Sequence, residues 1–273
     1  MTSSLTSGVS GIQNFQSQLD VIGNNIANSD TYGYKSGRAD FEDLFSQSML
    51  SSGGTTQVQI GSGVGTGAVR SNFAQGATTR TGIPSDLAIK GDGYFTVKDT
   101  QSGELFATRA GDFHVDSTGF LVTNQGYRVQ GYSDGNNTPG DIQIDATGKP
   151  DNAKGDITNY RIETDGKVRV TLDGGVTFTR GQVLLQRFQD PGALTKEGSN
   201  LYSGLDNAGP LARTDVPGTN GLGTILGGQL ESSNVDMADQ MANLITTQRA
   251  FQASARIITT TDEMLQEVVN LKR

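Results

Sequence analysis

From Ser232 to Arg273 the chain runs without a single Gly or Pro, although Gly occurs 37 times in its 273 residues. Read at alternating spacings of four and three, this stretch meets Met237, Met241, Leu244, Gln248, Phe251, Ala255, Ile258, Asp262, Leu265 and Val269. All but Gln248 and Asp262 are apolar, so the spacing predicts one long amphipathic helix with a heptad-like seam. A second apolar row, Ala238, Ile245, Ile257, Met264, Val268 and Leu271, widens the face. Ser232, Ser233 or Asn234 is the expected N-cap, with Asp236 and Asp239 in the first turn. A helix with this much apolar surface needs a partner, either within the chain or on another copy of it.

The start of the chain offers one. Leu5, Gly8, Ile12, Phe15, Leu19, Ile22 and Ile26 recur at spacings of three and four. Gly8, Gly11 and Gly23 each disfavour a helix interior by ~1 kcal/mol relative to Ala. The segment is therefore expected to be a poor helix by itself, formed only when its apolar row is covered. Asn24 to Asp30, rich in Asn and Asp, closes it.

Between these ends the period changes. Phe41, Leu44, Phe45 and Met49 make a short amphipathic patch, and residues 51–66 read as a Gly/Ser/Thr-rich loop with one strand at 57–60. From Leu87 to Phe188, short runs rich in β-branched and aromatic residues alternate with turn signals such as Gly91-Asp-Gly and Asp173-Gly-Gly. Strands at such spacing predict an antiparallel β unit. Residues 133–155 read as a long loop around a strand at 142–144, and 191–228 as irregular. The expected fold class is α+β: paired terminal helices, coiled-coil-like, with an inserted antiparallel β body. The expected boundaries are 1–35 with 229–273 for the helical domain and 36–228 for the β-rich body, with a loop-rich segment near 133–156.

Composition excludes several functions. A net charge of -8 argues against a nucleic-acid partner, because phosphate binding needs a basic surface. With no Cys and one His, neither a disulfide nor a Cys/His metal site is expected. No apolar run approaches the ~18 residues that span a bilayer, and Met1-Thr-Ser-Ser-Leu-Thr-Ser-Gly has neither the basic nor the apolar region of a secretory signal. His114 stands in a strand pattern. Gly91-Asp-Gly-Tyr lacks the Lys and helix of a phosphate loop, and no Gly-x-Ser-x-Gly elbow precedes a helix. No catalytic, cofactor or metal residue is expected, and the weight of function falls on the two terminal seams. The expected interface is Leu5, Ile12, Phe15, Leu19, Ile22, Ile26, Met237, Met241, Leu244, Gln248, Phe251, Ile258 and Leu265. Gln248 and Asp262, the polar members, are expected to fix register between subunits.

Several stretches carry a resemblance. Leu19-Asp-Val-Ile-Gly-Asn-Asn-Ile-Ala-Asn-Ser-Asp-Thr-Tyr-Gly-Tyr-Lys resembles the N-terminal signature of bacterial flagellar rod and hook proteins, with Asn24, Asn25, Ala27, Asn28, Gly33, Tyr34 and Lys35 as its motif residues. Gly228-Gln-Leu-Glu-Ser-Ser-Asn-Val-Asp-Met, Gln248-Arg-Ala-Phe-Gln and Thr261-Asp-Glu-Met-Leu-Gln resemble the C-terminal signature. Pro84-Ser-Asp-Leu-Ala-Ile-Lys-Gly-Asp-Gly-Tyr-Phe, Ala107-Thr-Arg-Ala-Gly-Asp-Phe and Asn200-Leu-Tyr resemble the β region of that family.

The resemblance implies a structural, non-enzymatic subunit of the flagellar axial structure, without a cofactor. Its termini would pair in an inner coiled-coil domain of a helical homopolymer that transmits torque. It also implies export by the flagellar type III apparatus without a cleaved signal peptide, a place in the hook or basal body outside the cytoplasm, and partners among other rod, hook, junction and cap proteins. Gly126-Tyr-Arg-Val-Gln-Gly-Tyr, Ser71-Asn-Phe-Ala-Gln-Gly and the ending Val269-Asn-Leu-Lys-Arg favour a compact hook protein. The short chain is closer in size to the distal rod, which is the alternative; a compact hook protein is the expected member. A non-polymeric assembly module using the same helices is the remaining alternative.

Overall fold

The computed structural model describes residues 2–44, 46–50, 57–61, 63–133, 138–145, 156–210 and 214–271. The chain divides into two compact units, one of residues 1–29, 36–72 and 235–273, the other of residues 30–35 and 73–234.

The first unit holds the two long helices, α1 (Thr2–Ala27) and α2 (Met237–Leu271). The Gly-interrupted N-terminus is helical throughout its length. Asn28 closes α1, its side chain donating to the Asn24 carbonyl (2.9 Å) and to Asn24 Oδ1 (2.6 Å). The start of α2 corrects the expected cap. Asp236, not Ser232, Ser233 or Asn234, accepts from the Ala238 and Asp239 N–H groups at 2.8 and 3.3 Å. Ser232 is held elsewhere, its N–H donating to the Ala77 carbonyl at 2.7 Å. The rest of this unit is β1 (Gly37–Asp43), β2 (Ser46–Leu50), β3 (Gln57–Gly61) and β4 (Val64–Ser71). β1 pairs antiparallel with β4 through a bulge at Asp40/Phe41, and β2 with β3. The amphipathic patch at 41–49 is thus extended, apart from Phe45, which lies outside the described residues.

The second unit is the β body. Its strands are β5 (Thr78–Arg80), β6 (Leu87–Lys90), β7 (Tyr94–Lys98), β8 (Leu105–Thr108), β9 (His114–Val115), β10 (Leu121–Val122), β11 (Arg128–Tyr132) and β12 (Pro139–Asp141). They continue with β13 (Ile157–Ile162), β14 (Lys167–Leu172), β15 (Thr177–Val183), β16 (Leu185–Gln186), β17 (Thr195–Gly198), β18 (Leu201–Ser203), β19 (Thr224–Gly227) and β20 (Gln229–Glu231). The main sheet runs β13-β14-β15-β11-β7-β8-β18-β17, with neighbours antiparallel. Alternation places its core: Val168, Val170 and Leu172 of β14 are buried while Lys167, Arg169 and Thr171 are less so. Val168 and Val170 form one buried cluster with Leu87, Phe95, Val129, Val183 and Ile225. Burying each such side chain stabilises the fold by about 1.5–3 kcal/mol.

Two expectations for this unit change. The strand expected at 142–144 lies earlier, at β12; Ile142 and Ile144 follow it, both buried, and Gln143 between them bridges Phe120. Residues 134–137 and 146–155 of the expected loop lie outside the described residues. Residues 191–228 are not irregular throughout, since β17, β18 and β19 form there. β17 (Thr-Lys-Glu-Gly) is exposed along its whole length, so it carries no hydrophobic period. Only its ladder to β18 marks it as a strand.

Candidate assembly interface

Within the first unit α1 and α2 lie antiparallel. A methyl built on Gly8 would lie 3.1 Å from Ile258 Cγ1, and one on Gly11 3.2 Å from Ser254 Oγ. Toward the other end, Asn25 Nδ2 donates to Gln240 Oε1 at 3.1 Å. Rows of buried and partly buried positions on the two helices have a seven-residue period. On α1 they are Gly8, Phe15 and Ile22, interleaved with Gly11, Gln18 and Asn25. On α2 they are Leu244, Phe251 and Ile258, interleaved with Gln240, Thr247, Ser254 and Thr261. Thr247, Ser254 and Thr261 are the buried residues of α2.

Of the expected seam residues, Ile22 is buried, and Ile12, Phe15, Leu19, Ile26, Leu244, Phe251 and Ile258 are partly buried. Leu5, Met241, Gln248 and Asp262 are exposed. Among the described residues, Asn25 and Gln240 bond across this pair. The missing side chains of Gly8 and Gly11 leave room for Ile258 and Ser254, so the helices approach closely there.

Much apolar surface on α2 is left uncovered in its own unit. Met237, Met241, Ile245, Ile257, Met264, Leu265, Val268, Val269 and Leu271 are exposed, with Met241 at 44% and Val269 at 66%. With Gly8 opposite Ile258, Thr2 falls opposite Met264. The last two turns of α2 then overhang α1 by roughly 10 Å at 1.5 Å per residue.

Two buried asparagines fasten the β1–β4 ribbon to α1. Asn14 Nδ2 donates to the Val64 carbonyl (2.7 Å), and Thr66 Oγ1 donates to Asn14 Oδ1 (2.5 Å). Asn25 Nδ2 donates to the Gly37 carbonyl and Gly37 N–H donates back to Asn25 Oδ1, both at 2.8 Å. The side-chain amide thereby completes one backbone ladder, which explains an Asn that is only 2% exposed. Of the other motif residues here, Asn24 and Asn28 form the helix end and Ala27 is its exposed last residue.

The remaining motif residues meet in the second unit. Gly33, at φ 71°, donates its N–H to the Glu231 carbonyl at 2.8 Å. Lys35, 1% exposed, pairs its ammonium with Glu231 Oε1 at 2.6 Å and donates to the Ala74 carbonyl at 2.9 Å. Gly76 N–H donates to the same Oε1 at 2.9 Å. Arg109 approaches Glu231 Oε2 at 3.4 Å, with its guanidinium 5.0 Å from the centre of the Tyr94 ring. Tyr94 and Tyr202 stack edge to face beside it. Burial pulls the Lys35 ammonium below its ordinary value, opposed by Glu231, and pushes the Tyr94 hydroxyl up to about 12. Tyr34 is likewise raised by burial, and the Lys196 ammonium stands 4.9 Å from its ring centre. Six of the stretches quoted above each lend a group to this cluster. Sequence reasoning did not single out Arg109 or Glu231. Their signal was a charged residue inside an otherwise apolar or turn-forming motif.

The chain matches three family profiles: "Flagella basal body rod protein" over residues 5–35, "Flagellar hook protein FlgE/F/G D1 domain" over 88–170, and "Flagellar basal body rod FlgEFG protein C-terminal" over 226–271. It is 43% identical to the flagellar basal-body rod protein FlgG of Bacillus subtilis, with 100% of each chain covered. It is 40% identical to FlgG of Caulobacter vibrioides, with 98% of each covered. The flagellar hook protein FlgE of Borreliella burgdorferi is 28% identical over 444 aligned positions, with 100% of each covered. The chain belongs to the flagellar basal-body rod and hook protein family.

Proposed function

We propose that the chain is a structural, non-catalytic subunit of the flagellar basal-body rod, and that it self-assembles through its terminal helices. The observation that carries this reading is the pair of helices itself. They meet along a row in which small and polar residues alternate with apolar ones, and they leave a wide apolar surface uncovered on α2. In water that surface favours association with the equivalent surface of further copies. Leu5, Ile12, Leu19 and Ile26 on α1, with Met237, Met241 and Leu265 on α2, would then face neighbouring copies. Phe15, Ile22, Leu244, Phe251 and Ile258 hold the pair within one copy. Neighbours in the axial structure are other rod and hook proteins, and the export apparatus, cap and junction proteins belong to the same reading.

The rod is favoured over the hook by length. Relatives named as rod proteins align end to end over about the length of this chain, whereas the hook relative aligns over 444 positions. The test is a double variant, Met241→Glu with Val268→Glu, two exposed positions whose change leaves the helix pair intact. Its monomer should keep wild-type circular dichroism, and it should fail to form tubes under the electron microscope. Tubes at wild-type yield would sink the reading. Straight wild-type tubes are expected; curved ones would favour the hook.

A further inference from the structure

We propose that Lys35, Arg109 and Glu231 form a latch that holds the incoming and outgoing segments of the β body closed together. Residues 30–35 enter this unit and residues 229–234 leave it. They are joined by the Gly33 N–H to Glu231 carbonyl bond and by the Lys35–Glu231 ion pair. The crossover at 73–76 joins the same carboxylate through Gly76 N–H and the same ammonium through the Ala74 carbonyl. Asn234 Nδ2 also donates to the Ala74 carbonyl, at 3.0 Å. Three segments far apart in sequence thus close on one side chain.

The electrostatics make that side chain decisive. The ion pairs of Lys35 and Arg109 among the described residues both run to Glu231, and all three residues are 5% exposed or less. The cluster holds two cations against one carboxylate. Arg109 Nε makes no hydrogen bond among the described residues. Removing the carboxylate leaves two buried cations uncompensated, which is far costlier than replacing the whole group by apolar side chains. The local answer is opening, because the three segments join at Glu231, whereas Val97, Val129 and Val170 lie in a hydrophobic cluster to which Glu231 does not belong. β20 then leaves β5, to which it pairs from Gln229↔Arg80 to Glu231↔Thr78. The latch is a separable, cooperative opening unit of the kind that native-state exchange resolves.

Hydrogen exchange on the full chain tests it. In Glu231→Gln the amides of Gly33, Ser232 and Thr79 should exchange about a hundredfold faster than in wild type, together, while those of Val97 and Val170 hold their protection. The triple variant Lys35→Met, Arg109→Met, Glu231→Leu should restore protection at Gly33 and Ser232, because no buried charge remains. Unchanged exchange at Gly33 and Ser232 in Glu231→Gln would overturn the latch. So would equal loss across Val97 and Val170, or failure of the triple variant to restore protection. If Glu231→Gln does not fold at all, a folded triple variant still supports charge balance as the closing condition, and an unfolded one overturns it.

Discussion

At the scale of single residues, the informative positions are polar ones in dry places. Asn25 satisfies both backbone groups of Gly37 and also reaches Gln240. Leu branches at the same carbon but has no amide. Asn25→Leu should therefore lower stability by about 1–3 kcal/mol for the groups left without partners. It should lower the melting temperature of the helical signal, and a melt coincident with wild type would contradict the assigned role. The importance of Asn25 was legible in the sequence as part of a motif, but its partner was not. Nothing in a linear pattern says that an Asn at the end of a helix will complete a ladder with a glycine twelve residues on. The same holds for Lys35, whose carboxylate partner is Glu231, near the other end of the chain.

At the scale of elements, both terminal helices were legible because their apolar residues recur over many turns. Which face pairs was not. Apolar counts favour the row through Met241 and Ala255, and the observed contact runs instead through Thr247 and Ser254. Periodicity measures where apolar side chains lie, while close packing also depends on where side chains are small. Gly11 is the sharpest case, since a methyl there would lie 3.2 Å from Ser254 Oγ and 3.7 Å from its Cβ. Gly11→Leu improves helix propensity by nearly 1 kcal/mol, yet it overfills this contact at a cost of about 1–3 kcal/mol. Net destabilisation of the helix pair is expected, with the β signal unchanged in the same melt. A stabilised pair would show that propensity, not contact, rules α1. Strands β17 and β5 were missed for a related reason: each is exposed and polar, and each exists only as the partner of another strand.

At the scale of the whole molecule, the chain order is helix, β body, helix, and the β body has its own core. Its buried cations Lys35 and Arg109 pair with its own Glu231, and Lys35 and Glu231 stand just inside its two ends. A fragment of residues 30–234 should therefore fold without the helices, giving a cooperative melt and dispersed amide resonances. A fragment without either would mean that the core needs the helices to form. The bond between Gly33 and Glu231 has one more consequence. A stretch of chain that begins and ends at a single hydrogen bond is a cassette. It can grow, shrink or be exchanged in evolution without altering the gap presented to the flanking sequence, much as a gene insertion at a hairpin tip leaves the stem untouched. A family with members of very different length can then diversify the middle of its chain while its two ends go on recognising each other.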